Sequence, residues 1–145
     1  MKSIDLIDLI ENNPIKLNGV YDNTLLNVIQ TEFNESQQKL YIAFSYCQFN
    51  FDEINDYIID VSNIWEWLGF AKKSEVIDTI QENYLQNKDY IIMYHKMNDN
   101  EIEESYLLNM NTFRTFCNII KTKKTIEINI FFKLLKMVCE KVSKE

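Results

Sequence analysis

Six cations in this chain stand in two short runs, Lys72 with Lys73 and then Lys121, Lys123 and Lys124 with Arg114 just upstream. Grouped ammonium and guanidinium ions bind anions, above all the regularly spaced phosphates of a nucleic acid. Ser74 and Thr122 lie within the same runs and can add hydroxyl hydrogen bonds to phosphate oxygens. Gln81 and Asn83, further along, are of the types that read adenine edges, although Asp78 and Glu82 beside them are the wrong sign for that task. Each lysine run can equally be a solvated surface turn, and spacing alone leaves both readings open.

Reactive chemistry is poorly supplied. His95 is the only histidine and there is no CxxC pair, so a zinc site lacks its ligands and a Ser-His-Asp arrangement lacks support. Glu101, Glu103 and Glu104 cluster without a histidine or metal partner, which reads as solvated charge. Gly19 and Gly69 are isolated, so no glycine-rich phosphate loop can be built. No enzyme activity, cofactor, metal or small-molecule substrate is expected. Cys47, Cys117 and Cys139 are odd in number, widely spaced and set among apolar neighbours, and read as buried free thiols in a reducing compartment. The acids that follow Met1, Lys2 and Ser3 interrupt any signal-peptide pattern, and no apolar run is long enough to cross a bilayer. The expectation is a soluble intracellular protein with no membrane partner.

A net charge of −7 speaks against a nucleic-acid binder at first sight. The charge is unevenly spread, however. Residues 1–71 carry three basic and eleven acidic side chains, a balance of −8, whereas residues 72–145 carry twelve and eleven, a balance of +1. Within 110–144 there are eight basic and two acidic residues. Local potential governs docking more than net charge does, which places a phosphate-binding face in the last third.

The elements that must position these residues fit one domain over 1–145, with 46% hydrophobic residues to form one core. Residues 1–56 form an acidic helical part: a short helix from Ile4 to Ile10, one started by Thr24, and one capped by Ser36. Residues 57–109 begin with a strand-like run at Tyr57, Ile58 and Ile59. A compact helix from Val61 to Leu68 then stops at Gly69, and a second is capped by Ser74 or the lysine before it. Two short helices joined by a tight turn have helix-turn-helix geometry. Asp89 to Tyr94 and Ser105 to Leu108, either side of a polar tip at Asn98, Asp99 and Asn100, read as two antiparallel strands of a hairpin, in the place of a wing. Residues 110–145 hold a helix capped by Asn111 or Thr112 and a last helix from Thr125 towards Val142. The fold class is therefore α+β and mostly helical. Trp65 and Trp67, two apart, cannot share a helix face, so one belongs to the core and one to the rim.

One segment carries a family resemblance. Ile59, Asp60, Val61, Ser62, Asn63, Ile64, Trp65, Glu66, Trp67, Leu68, Gly69 and Phe70, followed by Lys72 and Lys73, resemble the MSV-type domain of insect poxviruses, iridoviruses and other large DNA viruses. That family is similar in pattern to the Bro and KilA N-terminal domains and to phage antirepressor domains. Asn13, Pro14 and Ile15; Gln37, Gln38, Leu40, Tyr41 and Phe44; Lys88, Asp89 and Tyr90; and Thr112, Phe113, Arg114, Cys117, Thr122, Lys123, Lys124, Glu127 and Ile128 continue it in order along nearly the whole chain. Phe131 and Phe132 depart from it, since a tyrosine pair is usual there. The resemblance implies a virus-encoded, regulatory DNA-binding domain in the host cytoplasm, a viral factory or the nucleus, often placed ahead of a GIY-YIG-type nuclease domain.

Residues and resemblance together lead to one expectation: duplex DNA held mainly through phosphates by Lys72, Lys73, Ser74, Gln81, Arg114, Lys121, Thr122, Lys123 and Lys124. The competing expectation is a protein-interaction or dimerisation module. It rests on the net acidity and on a last helix apolar at Ile126, Ile128, Ile130, Phe131, Phe132, Leu134, Leu135, Met137, Val138 and Val142, wider than the ~100° face one contact needs. A homodimer through that helix would suit either function.

Overall fold

The computed structural model describes residues 3–144; Met1 and Lys2, which open the N-terminal reading above, and Glu145 lie outside the described residues. The elements are α1 (Leu6–Glu11), α2 (Thr24–Glu32), α3 (Glu35–Asn50), β1 (Tyr57–Asp60), α4 (Lys73–Asn83), β2 (Tyr90–Lys96), β3 (Ile102–Asn109), α5 (Met110–Ile119) and α6 (Lys123–Ser143). The fold is α+β and mostly helical, with one three-stranded antiparallel sheet of order β1-β3-β2.

Asparagine starts three of the six helices among the described residues. Asn23, Asn34 and Asn109 accept hydrogen bonds from the backbone N–H of Leu26, Gln37 and Thr112, so the caps of α2, α3 and α5 lie one to three residues before those read from sequence. Asparagine caps as well as serine or threonine, and at α3 the Gln37 side chain returns to the Asn34 N–H to close a capping box. Ser36, freed from capping, donates instead to Glu127 on α6.

The central strand of the sheet is β3, buried from Ser105 to Asn109. On one side β2 pairs with it from Tyr90↔Leu108 to Lys96↔Ile102, the expected hairpin with a longer ladder. On the other side β1 pairs through Ile59↔Leu108 and Asp60↔Leu107, with a register shift after Tyr57.

The segment after β1 differs from the helix expected there. Val61 to Leu68 folds as a run of turns. The Val61 N–H reaches the Tyr106 carbonyl and the Ser62 hydroxyl accepts from the Tyr106 N–H, which ties the chain to β3. Asp60 meanwhile takes the N–H and hydroxyl of Ser62 and the amide of Asn63. Polar side chains that bond the nearby backbone in this way compete with the helical ladder. The stop at Gly69 is present as expected: with φ +95° at Gly69, its N–H bonds Glu66 and the Phe70 N–H bonds Trp65, the pairing of a Schellman C-terminus. The upstream limb of a helix-turn-helix is thus a turn run ending in a helical C-cap, and α4 alone is a regular helix.

The core is aromatic at its centre. Phe131 is fully buried, edge-on to Phe33 at 6.1 Å and stacked on Phe44 at 6.1 Å, and Phe44 packs on Phe113. Phe132, next in sequence, is only partly buried. Cys47 and Cys117 are buried, and burial pushes the Cys47 thiol up to about 11 and the Cys117 thiol higher still. Cys139 corrects the expectation of three buried thiols: it lies exposed on α6. Its apolar sequence neighbours, Met137 and Val138, sit on other faces of a helix that turns by 100° per residue. Trp65 and Trp67 are both half-buried.

Phe131→Ala should cost about 3–5 kcal/mol of unfolding free energy, the range for deleting a fully buried phenylalanine, and Phe132→Ala clearly less. Urea unfolding of the two variants measures both, and equal losses would contradict this picture of the core.

Candidate nucleic-acid interface

The turn run and the α5–α6 junction meet at one point. At Gly69, an added Cβ would lie 3.0 Å from the Thr122 Cβ, so only glycine fits there, in a conformation that L side chains rarely adopt. Thr122 donates its hydroxyl to the Leu68 carbonyl at 2.5 Å. The same oxygen accepts from the Thr125 N–H, making Thr122 the N-cap of α6 and starting that helix at Lys123, two residues ahead of the expected Thr125. Thr125 is itself buried, its hydroxyl donating to the Ile120 carbonyl. Phe70 packs against Phe116 of α5 at 6.1 Å and extends the seam.

This contact brings the two lysine runs together. Lys121 and Lys123 flank Thr122, and Lys72 follows Gly69 by three residues, at most about 11 Å of extended backbone. All three side chains are exposed. Ion pairs among the described residues go to other cations: Lys73 to Glu103 at 3.7 Å, Lys124 to Glu127 at 3.2 Å and Arg114 to Glu53 at 3.0 Å. Lys124 also lies over the Trp67 ring at 4.8 Å, a cation–π contact across the junction. Burial works to raise the Glu127 pKa, but hydrogen bonds from Ser36 and Lys124 and the charges of Lys124 and Lys123 hold it below the usual carboxylate range.

Backbone geometry adds to the site at α4. Its N-cap, Lys72, makes no side-chain cap hydrogen bond, so the first-turn N–H groups, those of Lys73 and Ser74 among them, have no side-chain acceptor. An uncapped helix start with lysine beside it suits a phosphate. Ser74 is exposed at that end.

Other candidate residues are occupied or remote. The Gln81 amide donates to the Tyr106 hydroxyl at 3.1 Å and the Asn83 amide to the Thr79 carbonyl at 2.8 Å, so both adenine-reading types on α4 are spent within the fold. Glu75, Asp78 and Glu82 are exposed along α4 at helical spacing and repel a phosphate backbone along its length. Arg114, paired with Glu53 and 5.9 Å from the Phe132 ring centroid, stands away from the junction. The hairpin tip carries Asp99, Glu101 and Glu104, all exposed, against Lys96, the wrong sign for a DNA-contacting wing. The missed feature is the Gly69–Thr122 contact; a glycine stop and a Thr-x-x-Thr start were its only signals in the sequence.

Compared with known proteins, the chain matches no family model, no curated protein and no solved structure. No group of three or more His, Cys, Asp or Glu among the described residues is placed to hold a metal, and none of their helices is long and apolar enough to cross a membrane.

Gly69→Ala should destabilise the fold by about 1–3 kcal/mol through strain and the approach to Thr122, and Thr122→Ala by about 1 kcal/mol or more through the lost cap. A double-mutant cycle in urea should show the two losses to be non-additive. Strict additivity would mean that they do not share one contact.

Proposed function

We propose that this chain binds duplex DNA through its phosphate backbone, with little base discrimination, using the surface formed where Gly69 meets Thr122. The observation that carries this reading is the convergence of Lys72, Lys121 and Lys123, none in an ion pair among the described residues, beside the uncapped start of α4. Lys73, Ser74 and Lys124 border the same surface. The α4 N-terminus points at the backbone rather than lying in a groove, because its flank is acidic and its glutamine and asparagine are engaged. The resemblance to the MSV-type domains of large DNA viruses supports the same function and adds a regulatory, virus-encoded setting.

A second reading, self-association, is favoured by one observation. Ile126, Ile130 and Met137 lie within about 40° of each other around α6 and are 42%, 52% and 66% exposed. A dimer through this stripe would pair two basic surfaces on one duplex; without DNA affinity, the stripe alone would make the chain an interaction module.

For DNA binding, log affinity should fall linearly with log salt, each phosphate contact contributing about 0.9 to the slope. Replacing Lys72, Lys121 and Lys123 together by alanine should lower that slope by roughly 2–3 and weaken all sequences alike. An unchanged slope in the triple variant, or no binding by the parent at ~50 mM salt, removes the proposal. For self-association, sedimentation should find a dimer that Ile130→Asp dissociates, and a monomer at high micromolar concentration rules it out.

A further inference from the structure

A groove of about 560 Å³ opens between α3 and α6, walled at one end by Leu25 of α2 and at the other by Arg114 of α5. This is within the size range of small-molecule sites. Its floor is apolar: Tyr41, Phe44, Phe132 and Leu135. Lys133 and Lys136 stand on its rim, exposed and in no ion pair among the described residues. Arg114 is already paired with Glu53, which leaves Lys133 and Lys136 as the lining cations without a carboxylate partner among the described residues. Ser45 and Gln48 line the α3 side. An apolar trough with uncompensated cations at its edge is complementary to a molecule with a single hydrocarbon chain and an anionic head. The apolar floor at Phe132 and Leu135 lies well round α6 from the Ile126, Ile130 and Met137 stripe, whereas Lys133 stands beside that stripe; the groove is separate from the Gly69–Thr122 surface.

We infer that this groove binds a single-chain anionic amphiphile, a medium-chain fatty carboxylate, with the chain over Phe44, Phe132 and Leu135 and the head between Lys133 and Lys136. The chain's own chemistry offers a direct readout, because Cys139 lines the groove and is the exposed thiol, whereas Cys47 and Cys117 are buried.

Decanoate, kept below its micelle concentration, is the probe. At roughly ten times its dissociation constant it should slow iodoacetamide alkylation of Cys139 in the native chain about tenfold. Affinity from octanoate to decanoate should rise about two- to fourfold per methylene. Decan-1-ol should bind more weakly than decanoate, and Lys133→Glu with Lys136→Glu should abolish that preference while the circular dichroism stays unchanged. The inference is overturned if decanoate leaves the alkylation rate unaltered, if decanoate and decan-1-ol bind equally to the native chain, or if the charge-reversed variant keeps the preference. It is equally overturned if Cys139 protection rises with protein concentration alone, which would mean that a second copy fills the groove.

Discussion

The Thr122 hydroxyl donates to the Leu68 carbonyl while its oxygen accepts from the Thr125 N–H, so one side chain both starts α6 and anchors the turn run that leads into α4. A hydroxyl has one proton and two lone pairs, and both roles are filled within the fold. Gly69 is the other half of this constraint, since its positive φ closes the Schellman turn and its missing Cβ admits Thr122. Everything proposed about phosphate binding depends on this contact. Without it, Lys72 and the pair Lys121 and Lys123 would be two unrelated basic spots on a chain of net charge −7.

Much of the fold was legible because its signals are local. Apolar spacing placed the six helices of the described residues within a few residues, and short apolar and aromatic runs bounded by polar turns placed the hairpin and the short strand before it. Starts were misread wherever an asparagine upstream outcompeted a serine or threonine, as at Asn34 over Ser36 and Asn109 over Thr112. Val61 to Leu68 has helical spacing but folds as turns, because Ser62 and Val61 are claimed by Tyr106, 44 residues away from Ser62 in sequence. Cys139 sits among apolar neighbours yet is exposed, a difference of helix face that composition does not reveal.

The candidate site was legible in part. Both lysine runs were visible as charge clusters, but which cations remain available is a tertiary property. Arg114, Lys73 and Lys124 are each paired with a carboxylate, two of them with partners more than twenty residues distant. Gln81, chosen as a base reader by type, is engaged by a tyrosine on β3. Electrostatics then decides the mode of docking, because the flank of α4 and the hairpin tip both present acids while the start of α4 and the α5–α6 junction present lysines and open N–H groups. A groove-inserted recognition helix with a supporting wing would bring those acids against phosphates, and Lys96 at the tip is outnumbered by them.

Amide chemical-shift mapping on titration with a short duplex of arbitrary sequence tests the central claim most directly. Phosphate docking at the junction predicts perturbations concentrated at residues 70–75 and 120–125, shared between duplexes of different sequence and erased by salt, with the hairpin tip at 97–101 unmoved. Perturbations centred on the exposed flank of α4 and on the hairpin tip, or none in either lysine run, would contradict it.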